Sequence, residues 1–195
     1  MALTDAPELL ESIHKLGVLL KKAGCYDAAR SWIDIDLIWY DMTILVDFVA
    51  EMTKIIEKLR HTMGFNKFVL PDKVVGPFGV LPIFVLVSQR ASPSIPFVIW
   101  KEMARPATGE SLIFGKLSDD DKLLLVNDVV NYGIAMTQMK KDLETYREQH
   151  RLRYTIKGIM VVVDREVGGL DFIEKTANIK PISLMGISAL KTLSD

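Results

Sequence analysis

Asn127 and Asp128 stand at the end of the apolar run Leu123-Leu124-Leu125-Val126, and Gly133 follows where a helical pattern begins. Asp164 ends the run "GIMVVV" in the same way, with Arg165, Glu166 and the pair Gly168-Gly169 behind it. A third such place is "VVGPFG", residues 74 to 79. Carboxylate and amide side chains bond hydroxyl groups, and backbone N–H groups at the start of a helix receive phosphate. The turn after Asp128 therefore reads as a seat for a phosphorylated sugar. The plainer reading is a simple reversal of the chain, because Asp and Gly serve turn chemistry at the strand ends of any parallel sheet.

The elements that must position these residues follow from the pattern. Asp5-Ala6-Pro7-Glu8 reads as a capped helix start, and Leu9, Leu10, Ile13, Leu16, Leu19 and Leu20 keep helical spacing until Gly24. "SWIDIDLIWYD", 31 to 41, alternates apolar and polar residues and predicts a strand. Residues 42 to 63 form the clearest amphipathic helix, closed by Gly64. Lys73-Val74-Val75 runs into Gly76-Pro77, and "FGVLPIFVLVSQR" predicts a helix after a glycine turn. Strands are expected at 95–100, at "LIFGKL", at 122–126, at 158–163 and at "ISLMGI". Helices are expected at 133–152 and 169–178, with a last helical turn at "SALKTLSD". Unbroken Val/Ile/Leu strands, each followed by a helix, are buried on both faces and hence parallel. The expectation is an α/β fold: an open parallel sheet of about five strands flanked by helices. Residues 1–40 form an N-terminal helix and hood strands, residues 41–195 the α/β core, in one compact domain. Ligands of such sheets sit off the carboxyl ends of the strands.

The totals narrow the function classes. The chain has 195 residues, 49% of them hydrophobic, which suits a globular domain with a sizeable core. A net charge of −1 argues against a surface built to grip nucleic acid. No apolar run approaches the roughly 20 residues of a membrane span, and "MALTDAPELLES" reads as a helix start and not a signal peptide. Cys25 is the single cysteine, which fits a reducing, cytoplasmic setting. Three Gln and four Asn are few for this length and point to a thermophile. His14, His61 and His150 lack metal-ligand spacing. The basic stretch 140–157 reads as a solvated helix face, and Trp32, Trp39 and Trp100 as core, as dimer contact, or in one case as a surface under a pyrimidine.

From Val74 onward these residues resemble the type I phosphoribosyltransferases, and among them the orotate phosphoribosyltransferases. "LLLVNDVVNYGIA" is similar to the phosphoribosyl pyrophosphate signature, "VVGPFGVLPI" to the pyrophosphate-side loop, "VIWKE" to the Arg-Lys-Glu strand end, and "VVVDREVGG" to the Asp-Arg stretch of the orotate branch. "SWIDID" and "GISALKTL" are similar to the family's N-terminal strand and its ending. The resemblance implies transfer of the phosphoribosyl group of phosphoribosyl pyrophosphate to orotate, with Mg²⁺ carried by the substrate and not by protein ligands, in a cytoplasmic homodimer.

The same resemblance implies roles residue by residue. Asp128 would bind the ribose hydroxyls and stabilise an oxocarbenium-like transition state. Asn127, in the place of the first signature acid, would hydrogen-bond a hydroxyl, while Asn131, Tyr132, Gly133, Ile134 and Ala135 would surround the 5′-phosphate, with Gly76 on the pyrophosphate side. Lys101 and Arg105 would face the departing pyrophosphate, and Arg165, with Arg30, the orotate. A guanidinium fork matches a planar carboxylate; the plainer reading of Arg165 is a salt bridge to Glu166 or Asp164. The chain also departs from the pattern. Asn127 replaces an acid, Trp100 an arginine, Val80 stands where a basic residue is common, Pro106 falls near a histidine, and the turn lacks the usual Ser/Thr hydroxyls. Each lost charge-assisted hydrogen bond costs about 1.5–3 kcal/mol. Two alternatives follow: a non-catalytic sensor of a nucleotide or of phosphoribosyl pyrophosphate, or a structural partner of an active paralogue.

Overall fold

A computed structural model describes residues 7–27, 32–72, 80–101 and 112–193. Helix α1 (Pro7–Lys22) leads to a small antiparallel pair, β1 (Tyr26–Asp27) and β2 (Trp32–Ile33), and a 3-10 helix (Ile35–Tyr40). Helix α2 (Met42–Met63), β3 (Lys67–Asp72), α3 (Val80–Arg90), β4 (Phe97–Lys101) and β5 (Ile113–Phe114) follow. Then come β6 (Lys122–Val130), α4 (Ile134–Gln149), β7 (Thr155–Asp164), α5 (Gly169–Ala177), β8 (Ile182–Gly186) and α6 (Ile187–Thr192). The sheet order is β5-β4-β3-β6-β7-β8. β4, β3, β6, β7 and β8 are mutually parallel, and short β5 pairs antiparallel on the edge of β4.

The expected open sheet is thus present, but the strand expected at "LIFGKL" is the short antiparallel β5, and the fifth parallel strand is β3. The interior of the sheet explains its topology. Leu123 to Val126 of β6 are fully buried, which requires cover on both faces. On one face Leu124 and Val126 join Leu16, Phe48, Met52, Ile55 and Phe84 from α1, α2 and α3. On the other, Leu123 and Leu125 join Met136, Met139, Leu143 and Ile173 from α4 and α5. Each large apolar side chain so buried is worth about 1.5–3 kcal/mol. Among the described residues no helix is long and apolar enough to cross a membrane.

The strand expected over 31–41 is a correction. Among the described residues of that stretch only Trp32–Ile33 are strand, and Ile35–Tyr40 are 3-10 helix. Asp34 and Asp41 are caps and not the polar face of a strand, and Asp36 falls in the first turn of the 3-10 helix. Asp34 Oδ1 accepts from Asp36 N–H at 3.1 Å, and Asp41 Oδ1 accepts from Thr43 and Ile44 N–H at 2.9 and 3.1 Å, starting α2. Gly64, at φ 68°, closes that helix as expected.

Central strand β3 is the element that the sequence pattern hid, because it carries Lys67 and Pro71, both foreign to a buried strand. Lys67 is only 8% exposed. Its Nζ donates to Asp121 Oδ2 at 2.6 Å and to Lys116 O at 2.9 Å, while Ser118 N–H donates to the same carboxylate oxygen at 2.7 Å. This buried ion pair ties the start of β3 to the approach to β6. Breaking a buried pair from one side leaves an uncompensated charge and costs about 3–5 kcal/mol. Asp121→Ala is therefore expected to lower unfolding free energy by about that amount in urea titration, and Lys67→Met added to it is expected to restore part of the loss.

Candidate functional site

The chain leaves β3 toward β4 and β5 on one side and returns to place β6, β7 and β8 on the other. The point where strand order reverses lies between β3 and β6, and open α/β sheets take ligands there. The pairing shows why. β3 and β6 are in register from Lys67–Leu123 to Val69–Leu125 and no further, yet β3 continues to Asp72 and β6 to Val130. The carboxyl ends of these neighbours are thus unpaired with each other.

Around this opening the strand ends bring the candidate residues together. Asn127 and Asp128 lie within β6, which runs past the expected 122–126, and they are 6% and 5% exposed. Asp128 Oδ1 accepts from Val129 N–H at 2.7 Å, and Asn127 Oδ1 accepts from Asp128 N–H at 3.0 Å. Lys101 ends β4 beside Asp72 of β3, an acid that sequence reasoning left unassigned. Trp100 is fully buried on the α4 side and donates from Nε1 to Asp142 Oδ2 at 2.8 Å. Its side chain belongs to the core, so it serves neither as a pyrimidine platform nor as a substitute for the arginine expected there. The expectations for Arg30, Gly76 and Arg105 fall outside the described residues.

β6, β7 and β8 end level, with Val130 opposite Asp164 and Asp164 opposite Gly186. The turns beyond them are packed against one another. Gly133, at φ 76°, begins α4 without a side-chain cap. A Cβ on Gly133 would stand 2.6 Å from Gly169 O, and one on Gly169 would stand 2.1 Å from Asn131 O, so neither turn tolerates a side chain there. Tyr132 and Ile134 are 67% and 65% exposed. The Thr137 hydroxyl donates to Gly133 O and Ile134 O within its own helix, so it replaces none of the hydroxyls the turn lacks.

Arg165 lies over the same turn. Its N–H donates to Val130 O at 3.0 Å and its Nη1 to Asn131 Oδ1 at 3.1 Å. The two acids beside it have other work. Asp164 Oδ1 accepts from Glu166 N–H at 2.9 Å. Glu166 adopts the left-handed region at φ 58°, a conformation that costs a bulky residue about 1–3 kcal/mol. Its carboxylate accepts from Ser188 Oγ at 2.6 Å and Ser188 N–H at 3.2 Å. That clamp joins the Asp164–Gly168 turn to α6. No local motif announces it, since Ser188 lies 22 positions away.

Among the described residues no group of three or more His, Cys, Asp or Glu forms a metal cage. A Mg²⁺ ion carried by substrate phosphates and water needs none. A groove of about 810 Å³ lined by Ser12, Lys58, His61 and Asn66 lies near the opposite end of α2 from its Asp41 cap, away from these residues, and mixes both charge signs with Glu8 and Glu57.

No family model matches the chain. It is 36% identical over 105 residues to an orotate phosphoribosyltransferase of Pyrococcus abyssi, covering 53% of each chain. It is 30% identical over 125 residues to that of Pyrococcus horikoshii, covering 64% of this chain and 61% of the relative. The chain thus matches between about half and three-fifths of the length of these curated relatives. In structure it superposes on Mycobacterium tuberculosis orotate phosphoribosyltransferase, solved with inorganic phosphate, with a TM-score of 0.66 and 18% identity over 92% of this chain and 91% of that one. In sequence the chain is similar to orotate phosphoribosyltransferases over about half to three-fifths of its length, and its fold is similar to that of a solved one.

Burial, ahead of the nearby Glu166 and Asp171 charges, raises the pKa of the Asp164 carboxyl above its ordinary value, against the Glu166 N–H bond that lowers it. An acid whose folded pKa is raised costs the fold stability as pH climbs from the unfolded pKa through the folded one, and the cost stays in place above it. Asp164→Asn keeps an oxygen for the Glu166 N–H and removes that cost. Its melting temperature relative to wild type is expected to be higher near pH 7 than near pH 3, read by thermal denaturation at both.

Proposed function

We propose that this protein is an orotate phosphoribosyltransferase. It forms the bond between the orotate ring nitrogen and the anomeric carbon of phosphoribosyl pyrophosphate, while the bond from that carbon to pyrophosphate breaks, pyrophosphate leaves with the electron pair, and the proton of the ring nitrogen passes to water. The observation that carries this reading is the placement of Arg165 over the Asn131–Gly133 turn, beside the unpaired carboxyl ends of β3 and β6. A planar guanidinium there suits an acidic pyrimidine. The turn and the uncapped start of α4 suit a 5′-phosphate, and Asp128 suits the ribose hydroxyls and the positive charge that develops on the sugar. Asn127 complements it as a neutral hydrogen-bonding partner. Lys101 faces the pyrophosphate in this reading, and Arg30, Gly76 and Arg105 carry the roles that the resemblance implies for them. Mg²⁺, arriving with the substrate, neutralises the pyrophosphate charge. The same reading implies a homodimer and a cytoplasmic setting. The sensor and structural-partner readings are not favoured, since the relatives in sequence bear an enzyme's name.

The test is direct. Purified protein given orotate, phosphoribosyl pyrophosphate and Mg²⁺ is expected to consume orotate by ultraviolet absorbance, and to stop when the metal is chelated. Arg165→Ala is expected to weaken orotate binding by about ten- to a hundredfold, the worth of one charge-assisted contact, with an unchanged melting temperature. A flat absorbance trace with wild type removes the activity, and unaltered orotate affinity in Arg165→Ala removes the substrate assignment.

A further inference from the structure

The Asn131 amide faces two ways. Its Oδ1 accepts from Arg165 Nη1 at 3.1 Å. A guanidinium only donates, so this bond decides which end of the amide is oxygen and turns Nδ2, with its two N–H donors, to the other side. Asn131 is exposed and stands two positions before Gly133, where α4 starts with no side chain bonded to its N–H groups. A donor at that place is what a phosphate requires of a turn that has no Ser or Thr hydroxyl. Both ends of the bridge are held by backbone. Arg165 N–H is bonded to Val130 O, and Asn131 O is backed by Gly169 at a distance that excludes even a methyl group.

We propose that Asn131 is the positioning residue that joins the two halves of the ligand site: its Oδ1 orients Arg165 for a substrate carboxylate, and its Nδ2 donates to a phosphate at the turn. This rests on the phosphoribosyltransferase reading above. Its consequence is thermodynamic coupling. A phosphate that fixes the amide plane also fixes Arg165, so each ligand group raises affinity for the other by the same factor.

Calorimetry on the full chain with three probes separates these roles: orotate (carboxylate alone), uridine monophosphate (phosphate alone) and orotidine monophosphate (both). Asn131→Asp retains the acceptor for Arg165, removes the donor and adds a negative charge where phosphate sits. It is expected to keep orotate affinity within about threefold of wild type and to weaken uridine monophosphate by about tenfold or more. Asn131→Ala is expected to weaken both, and its loss for orotate is expected to vanish in an Arg165→Ala background. In steady-state assays Asn131→Ala raises the orotate KM more than it lowers kcat. Asn131→Ala with wild-type affinity for all three probes overturns the proposal, as does Asn131→Asp that loses orotate as severely as Asn131→Ala. A wild-type protein that binds none of the probes removes the functional reading itself, and this proposal with it. Wild-type binding with indifferent variants removes only the proposal.

Discussion

The site depends on how closely two turns approach each other. The carbonyl of Asn131 lies where a Cβ of residue 169 would be, and the carbonyl of Gly169 where one of residue 133 would nearly be. Two backbones reach that distance only if neither carries a side chain at the contact. Glycine at 133 and 169 is thus a steric condition for bringing the end of β6 to the end of β7. Once these turns touch, Arg165 N–H reaches Val130 O and its guanidinium reaches Asn131. A third turn is drawn in by the Glu166 carboxylate, which holds the start of α6 through Ser188.

Burial and pairing divide the labour elsewhere. Fully buried strands such as β6 carry the cohesion of the fold, since both of their faces contribute apolar area. The unpaired carboxyl ends of β3 and β6 supply the opening. The polar residues Asn127 and Asp128 are tolerated in a buried strand because neighbouring backbone N–H groups and each other satisfy them locally. Lys67 and Asp121 do the corresponding work near the amino ends of the strands, where a buried charge pair secures the entry of β3.

The departures from the family pattern have different physical weights. Trp100 takes a position where the resemblance leads to a cation, and its buried side chain, bonded to Asp142 of α4, supplies no charge. Thr137 offers a hydroxyl near the turn but spends it on its own helix. Asn131 is different in kind: it keeps a hydrogen-bonding group at the turn and ties it to Arg165.

Composition and periodicity alone determined the α/β class, the helix from Met42 to Met63 with its glycine stop, and the parallel arrangement, because these follow from local spacing and from unbroken apolar runs. The turns around Asp128, Gly133 and Arg165 were legible too, as unusual residues following buried runs. Local spacing misled where Asp34 and Asp41 serve as caps, and it missed β3, whose Lys67 is acceptable in a core only because Asp121, 54 positions away, meets it. Tertiary structure alone decided that β6 extends through Asn127 and Asp128, that Trp100 turns inward, and that Arg165 bonds to Asn131. Each of these is a contact between residues distant in the chain, and such a contact exists only after the sheet order has brought its partners together.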